Sequence, residues 1–275
     1  MRRLIRSDFW CLLKDVSFVV IAIFSIVLGV FIPTIGYINK LRYNEITVFE
    51  NGFFIFLSAF SLLIPAFVSL FVGKSFDWGS VKNKITVGHG RIGIYFSFLT
   101  TSLLGTMLLV ALYVIPYWIL GSFFLEKMEI PLKAFLLMLL SSLFVLSFIT
   151  ALSVAITTNI SSRVVSLVVT LVIVIALLMI GSIAVQMLME PEMITSSMIM
   201  IDGEFVFADP YPNPRYVKES QRWIWEALRD SMLGGQIHQI TALECNWIRV
   251  SMFSLVFGLI LSTIGSILFK RKDLK

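Results

Sequence analysis

Charged residues, cysteines and histidines are all scarce in this sequence. Only 14% of its 275 residues are charged, against about 25% in soluble globular domains. The two cysteines, Cys11 and Cys245, are predicted on opposite sides of a membrane by the charge pattern of the chain, which excludes a disulfide framework. The two histidines, His89 and His238, lie far apart without nearby metal-ligating residues, so we expect no metal site.

What the sequence has in excess is apolar surface. Hydrophobic residues make up 58% of the chain, and a soluble fold could not bury that much, which makes lipid the solvent. The net charge of +5 does not indicate nucleic-acid binding, because the chain has no soluble basic domain to carry it. Lysines and arginines on the cytoplasmic side account for such an excess in a membrane protein.

Six apolar runs are long enough to cross about 30 Å of hydrocarbon, which takes roughly 20 helical residues. They predict an all-α polytopic membrane protein with six transmembrane helices, built as one domain over residues 1–275. Pro65 in the second run and Pro116 in the third predict kinks, because proline removes a helical hydrogen bond. The predicted spans are 16–38, 52–72, 92–124, 134–157, 164–189 and 250–269.

The distribution of lysine and arginine predicts the orientation of these spans. One side carries thirteen lysines and arginines and four acidic residues. The other side carries nine lysines and arginines and thirteen acidic residues. The positive-inside rule places the first side in the cytoplasm, so we expect a multi-pass protein with both termini cytoplasmic. Residues 1–15 mix arginines with Leu4, Phe9 and Trp10, which predicts an interfacial helix; a ragged start to the first span is the alternative.

The long segment between spans five and six, residues 190–246, is predicted to be a small extracellular cap. Pro210, Pro212 and Pro214 exclude a regular helix in its first half. Apolar residues at four-residue spacing then predict a helix over about 217–233. Gly234 and Gly235 follow and are typical stop signals, so the helix is expected to end there.

The predicted spans contain no Asp, Glu, Lys, Arg or His, which argues against proton or sodium coupling through buried ionisable groups. Small polar residues take their place. Close helix packing explains most of these, and a mildly polar translocation surface is the alternative. Gly258, Ser262 and Ser266 form a small-residue face whose partner lies either within the chain or in another chain. The candidates for the translocation surface are Ser58, Ser61, Thr101, Thr106 and Ser142.

Two nucleotide-binding patterns occur in the loop 73–91 and both fail in context. Gly73-Lys74-Ser75 resembles the end of a P-loop, but the required upstream glycine is replaced by Val68. The letters of G-x-G-x-x-G occur at 88–93, between two predicted membrane helices and with no preceding strand. No catalytic motif appears elsewhere, so we expect that this chain is not an enzyme and holds no cofactor.

The same loop, with the start of the third span, resembles a known family. Residues 76–99, FDWGSVKNKITVGHGRIGIYFSFL, are similar to the stretch after the second span in permease subunits of type-2 ABC exporters. The leader, six spans, cytoplasmic termini and long segment before the last span also match that family in layout. The resemblance is closest to bacterial permeases of peptide-antibiotic export and bacteriocin immunity. The matching positions are Gly79-Ser80, Lys82-Asn83, Ile85 and Gly88-x-x-Arg91.

Two positions depart from the family pattern. The acidic residue that usually precedes the Gly-Ser pair falls at Ser75 or Phe76, with Asp77 displaced from it, and Phe98 stands where the family often has a lysine. The resemblance implies that the loop is a coupling helix that docks on a separate ATPase subunit. A basic loop that only sets topology is the alternative. The docking residues expected are Phe76, Asp77, Trp78, Val81, Lys82, Asn83, Lys84 and Arg91.

The resemblance also implies the partners. We expect a second permease copy, in a homo- or heterodimer, and two ATPase chains that hold ATP and Mg²⁺. The expected location is a bacterial plasma membrane, and the expected substrate is an amphipathic peptide or hydrophobic drug exported from the cell or membrane. Two other functions stay open at this point: a secondary transporter or channel, and a peptide-immunity membrane protein that does not transport.

Overall fold

The computed structural model describes residues 2–44, 47–160, 162–194, 198–201, 204–207 and 210–272. Within them six helices are long and apolar enough to span a membrane, which confirms the all-α polytopic fold. Residue 1, Lys275 and parts of the predicted cap lie outside the described residues. The helices are α1 Arg2–Leu13, α2 Val16–Tyr43, α3 Phe49–Phe53, α4 Phe56–Asp77, α5 Ser80–Thr86, α6 Arg91–Phe124, α7 Leu132–Asn159, α8 Arg163–Met189, α9 Glu219–Ser231, α10 Leu233–Thr241 and α11 Trp247–Arg271.

The leader forms a helix of its own. Helix α1 ends at Leu13, and Asp15 begins α2 with its carboxylate accepting a hydrogen bond from the Ser17 backbone N–H at 3.0 Å. This side-chain cap satisfies a donor that the first turn of a helix leaves free. The first span therefore does not start raggedly inside the leader. The location of α1 at a membrane interface stays a prediction.

The second span is interrupted near its start. A short break at Phe54 and Ile55 separates α3 from α4. Two hydroxyls from α6 satisfy carbonyls beside the break: Tyr113 Oη donates to Phe53 O at 2.9 Å, and Tyr117 Oη donates to Phe49 O at 2.8 Å. The whole span runs Phe49–Asp77 and so includes Glu50, Lys74 and Asp77, all outside the predicted charge-free range 52–72.

Helices α4 and α7 lie at the centre of the bundle, and α2, α8 and α11 lie at its edge. Helices α2, α4 and α6 continue without interruption through Pro33, Pro65 and Pro116, and the kinks expected at the last two stay predictions. We call the end that carries α1, α5 and the last turn of α11 the terminal end. The end that carries α3, α9 and α10 is the distal end.

The small-residue face of α11 packs within the chain, against α7. A Cβ placed on Gly265 would lie 2.8 Å from the Ala155 Cβ atom, and one on Gly258 would approach the Phe148 backbone. Near the distal end of this contact the Ser141 and Ser251 hydroxyls lie 3.0 Å apart. The question left open by the sequence is therefore answered for this face: its partner is a helix of the same chain.

The segment before α11 contains a second helix, α10, that was not predicted from the sequence. The predicted helix 217–233 is observed as α9, which ends at Ser231, and α10 begins at Leu233. Gly234 and Gly235 therefore lie at the start of a helix, and the prediction that they only stop one was wrong. A Cβ on Gly234 would overlap the Leu178 carbonyl oxygen, and Gly181 meets the Gly235 backbone. These glycines are needed because α10 packs backbone to backbone on α8.

Helix α10 thus packs inside the bundle, about 12 Å from the distal end of α8 by helical rise. Its amide side chains are buried and bonded: Gln236 Oε1 accepts from the Ser254 hydroxyl at 3.0 Å. The proline-rich stretch is not helical, as predicted, and contains short antiparallel strands. These are β1 Met193–Ile194 paired with β4 Tyr211–Pro212, and β2 Met198–Ile201 paired with β3 Glu204–Phe207.

Candidate functional site at the terminal end

The loop between the second and third spans contains the short helix α5. Helix α4 ends at Asp77, and the chain turns through Gly79, whose φ of 67° lies in the left-handed region that glycine adopts without strain. Helix α5 then runs over Ser80–Thr86. A second left-handed glycine, Gly88 with φ of 97°, precedes the start of α6 at Arg91. Two glycine turns therefore fix α5 across the terminal end of the bundle.

The predicted docking residues divide into an exposed set and a buried set. Asp77, Trp78, Lys82 and Asn83 are exposed, and the Trp78 side chain is 71% accessible. Val81 is only 1% accessible and belongs to the core of the chain. An anchoring role for Val81 in a partner pocket does not fit this arrangement, because its side chain already packs inside its own bundle.

Phe76 is also turned inward. Its ring centroid lies 6.4 Å from that of Phe98 and 6.0 Å from that of Phe269. The Lys272 ammonium lies 5.0 Å from the same ring. Phe76 therefore connects the end of α4 to α6 and α11, and Phe98 is part of that contact. Val87 is a further exposed apolar residue of this region, and it was not predicted from the sequence.

Lys84 is bound within the chain. Its ammonium lies 2.6 Å from an Asp8 carboxylate oxygen and 4.4 Å from the centroid of the Phe98 ring. The second Asp8 oxygen accepts a hydrogen bond from the Ser97 hydroxyl at 2.7 Å. The two charged side chains are largely buried, at 7% exposure for Asp8 and 17% for Lys84. Lys84 thus joins α5 to α1 and α6, and Lys82 is left as the exposed cation of α5.

A second ion pair joins the leader to α4. Lys74 Nζ lies 3.0 Å from an Asp15 oxygen and 4.4 Å from the centroid of the Trp78 ring. Burial tends to raise the pKa of Asp15, but the hydrogen bonds from Ser17 and Lys74 and the Lys74 charge outweigh it, so the pKa is lowered. Neither acidic partner, Asp8 or Asp15, was predicted from the sequence. The available signal was Asp8 on the same helical face as Leu4 and Leu12, where an apolar residue is expected.

Arg91 caps the end of α11. One guanidinium nitrogen donates to the carbonyl oxygens of Lys270 at 3.0 Å and Lys272 at 2.5 Å. Lys272 Nζ donates in turn to the Thr158 carbonyl at 3.0 Å, and burial lowers the pKa of this lysine. The last carbonyls of a helix have no partner within it, and cations satisfy them best. The Arg of the Gly-x-x-Arg pattern therefore fastens α6 to α11, and its predicted contact with an ATPase subunit stays a prediction.

The five candidate translocation residues do not share one surface. Ser58 is exposed and the other four are buried. The Ser61 hydroxyl donates to the Ser58 carbonyl at 2.7 Å, and the Thr106 and Thr150 hydroxyls lie 2.9 Å apart. The Ser142 hydroxyl donates to Leu139 O at 2.6 Å. Packing and local hydrogen bonding therefore account for Ser61, Thr106 and Ser142.

Helix α6 carries a group of buried hydroxyls without partners in the described part of the chain. They belong to Tyr95, Thr101 and Ser102. A buried polar group without a hydrogen bond costs about 1–3 kcal/mol, and most such groups in proteins are satisfied. Among the five translocation candidates, Thr101 is thus the one whose buried hydroxyl has no hydrogen-bond partner in the described residues. A rearrangement of α6 that supplied partners to these three hydroxyls would gain free energy.

No protein-family model matches the sequence, and a search of curated proteins gives no significant match.

Proposed function

We propose that this chain is the membrane permease subunit of a bacterial ATP-driven exporter of the type-2 ABC class. The observation that carries the proposal is helix α5 together with the preceding Trp78. This segment lies across the terminal end, exposes Trp78, Lys82 and Asn83, and is joined to the bundle by Lys84. An exposed aromatic beside a cation suits a partner's pocket with an acidic rim. This chain supplies the moving part, and ATP and Mg²⁺ bind to the separate ATPase.

The contacts of α5 support a route for the movement. Helix α5 is tied to α1 and α6 through the Asp8–Lys84–Ser97 cluster, and Phe76 touches α6 and α11. Removing one partner of a buried ion pair costs about 3–5 kcal/mol. Helices that a buried ion pair joins are therefore expected to move together, because movement as a unit keeps the pair intact. A displacement of α5 by the ATPase would shift α1 and α6 as a unit and carry α11 through the Arg91 cap.

The remaining parts of the proposal concern the assembly. Two copies of this chain, or this chain with a related one, form the transport unit together with two ATPase chains. Both termini and α5 face the cytoplasm of a bacterial cell, as the distribution of lysine and arginine predicts. The substrate class is an amphipathic peptide or a hydrophobic drug, moved out of the cell or the membrane.

The test is co-purification of the tagged chain from its native membranes, with Trp78→Ala as the variant. We expect a P-loop ATPase to bind in stoichiometric amount, and at least about tenfold weaker association for the variant, because aromatic anchors dominate such interfaces. Trp247→Ala is the matched control, since Trp247 is an exposed tryptophan at the distal end. Equal retention of the ATPase by both variants would contradict the docking role of α5.

A secondary transporter is the second candidate, and Glu50 favours it. This buried carboxylate accepts hydrogen bonds from the Glu129 and Ile130 backbone N–H groups through one oxygen, and its other oxygen has no partner among the described residues. Ionisable groups at such positions often serve ion coupling. Transport by the purified chain alone, driven by a proton gradient and abolished by Glu50→Gln, would replace the ABC proposal with this one.

A further inference from the structure

A groove of about 480 Å³ lies between α9 and α11 at the distal end, far from the α5 surface. One wall is the side of α11, a helix apolar enough to span a membrane. The other wall is α9, which contributes the exposed Trp223. Three charged side chains lie among the lining residues, near one end of the apolar wall. The lining consists of Trp223, Glu226, Ala227, Asp230, Arg249, Met252, Phe253 and Val256.

The two carboxylates of the groove already have cationic partners. Asp230 is buried, and one of its oxygens accepts hydrogen bonds from the Arg229 guanidinium at 2.9 Å and from the Gln239 amide at 3.1 Å. Glu226 pairs with Arg222 one helical turn away, at 3.4 Å. Both carboxylates therefore already have a counter-charge nearby, which weakens their attraction for a cationic ligand.

Arg249 is the cation in excess. Its nearest carboxylate oxygen, on Asp230, lies at 3.5 Å, the outer limit of a hydrogen bond, and its side chain is 59% exposed. The groove and its direct ion-pair partners thus hold three guanidinium groups against two carboxylates. The excess positive charge sits on a side chain that is directed into accessible space, which favours an anionic ligand.

The apolar part of the groove continues from Arg249 along α11. Met252 follows Arg249 by three residues and Val256 by seven, so all three lie along one side of the helix. Both apolar side chains are exposed. A positive group followed by an exposed apolar wall, on a helix of membrane-spanning length, fits an amphiphile with an anionic head and an apolar tail.

We propose that this groove binds an anionic phospholipid of the leaflet at the distal end. The phosphate accepts hydrogen bonds from the Arg249 guanidinium, whose fork matches phosphate geometry better than a single ammonium does. The acyl chains lie against Met252 and Val256, and Trp223 covers the glycerol region. This site does not depend on the exporter proposal, because it needs no ATPase and lies at the opposite end of the bundle.

Native mass spectrometry of the purified full chain in detergent tests the proposal, with phosphatidylglycerol and phosphatidylcholine added as probes. We expect one phosphatidylglycerol to bind roughly tenfold more tightly than phosphatidylcholine, because both carry a phosphate but the quaternary ammonium of phosphatidylcholine cancels the net negative charge that Arg249 attracts. Arg249→Gln should remove this preference, and Arg249→Lys should retain part of it. Arg215→Gln is the control, because Arg215 is exposed and among the described residues neither lines the groove nor pairs with one of its carboxylates.

Val256→Trp checks the apolar wall separately. The larger side chain should occupy the groove beside α11 and weaken the binding of both lipids. An unchanged melting temperature would show that the fold is intact. Equal binding of the two lipids by the unaltered chain would overturn the proposal, and this result needs no variant to fold. A preference that survives Arg249→Gln, displacement of the lipid by inorganic phosphate alone, or tighter binding of a cationic amphipathic peptide would overturn it as well.

Discussion

Single residues at the terminal end carry most of the connection between α5 and the bundle. We predict that Asp8→Ala destabilises the protein by about 3–5 kcal/mol, because it leaves the Lys84 ammonium buried without its counter-charge. The double variant Asp8→Ala with Lys84→Met should recover much of the loss. The measurement is the melting temperature of the purified protein in detergent, followed by circular dichroism.

Lys40→Met is the matched control for this ion pair. Lys40 also pairs with an acidic residue, Glu126, but both side chains are more than a third exposed. Exposed pairs contribute about 0–1 kcal/mol, so the control should melt close to the unaltered chain. If Asp8→Ala and Lys40→Met lower the melting temperature equally, burial does not set the strength of the Asp8–Lys84 pair.

The exposed half of the candidate site could be predicted from the sequence, and the buried half could not. A short basic segment between two apolar runs predicts a surface loop, and Trp78, Lys82 and Asn83 are exposed. The roles of Lys84 and Arg91 depend on residues 76 and 181 positions away along the chain. Spacing within the loop carries no information about such distant partners. In the sequence, a lysine that is buried in an ion pair cannot be distinguished from a lysine that faces solvent.

At the scale of elements, α10 is the part most sensitive to a single added atom. We predict that Gly234→Ala destabilises the protein by at least about 1–3 kcal/mol, the usual cost of overpacking, since the new methyl group would overlap the Leu178 carbonyl. The change should separate α10 from α8 and expose Gln236. Melting temperature and hydrogen exchange of the α10 amides measure the two effects.

Gly93→Ala is the control for this substitution. Gly93 lies in the first turns of α6 and a Cβ there meets no atom within 4 Å. Alanine is the better helix former by about 1 kcal/mol, so this variant should be as stable as the unaltered chain or more stable. Faster exchange in α10 for Gly93→Ala, or none for Gly234→Ala, would show that the glycine contact does not hold α10 on α8.

The long helices could be predicted from hydropathy. The break before α4 and helix α10 could not, because both depend on contacts between distant residues that hydropathy does not describe. The six predicted spans agree with the observed helices because an apolar run of that length has few other solutions. The break before α4 depends on hydroxyls of Tyr113 and Tyr117, about 60 residues later. Helix α10 depends on Gly181 lying opposite Gly234, and a pair of glycines alone favours a helix end.

At the scale of the whole molecule, the two ends of the bundle differ in their chemistry. The terminal end joins α1, α4, α5, α6 and α11 through ion pairs and the Arg91 cap. The distal end holds the aromatic contacts of α3, the buried α10 and the groove beside α11. The terminal end is therefore held together by charged contacts, and the distal end by aromatic and backbone contacts.

Thiol labelling of intact cells tests the sidedness of these ends. Burial, and secondarily the Asp230 charge, raise the pKa of Cys245 to about 12, so this native thiol is a poor reporter. We predict that a cysteine introduced by Ser220→Cys, on an exposed position of α9, reacts with a membrane-impermeant maleimide. One introduced by Asn83→Cys in α5 should react only after the cells are opened.

Both labelling variants are made with Cys11→Ser and Cys245→Ser, so that each protein has one thiol. The doubly substituted parent without an added cysteine gives the background. Reaction of the Asn83→Cys protein in sealed cells, with protection of the Ser220→Cys protein, would reverse the proposed orientation and place α5 outside.

The pairing of Asp8 with Lys84 also constrains how the protein is made. The two residues are 76 positions apart, so the ribosome adds the lysine about 4–15 s after the aspartate, at roughly 5–20 residues per second. During that interval the leader emerges from the ribosome before the counter-ion of its Asp8 carboxylate has been made. Helix α1 can therefore complete its contacts only after α5 and the start of α6 have been made, so the chain's first helix is not the first to have all its partners.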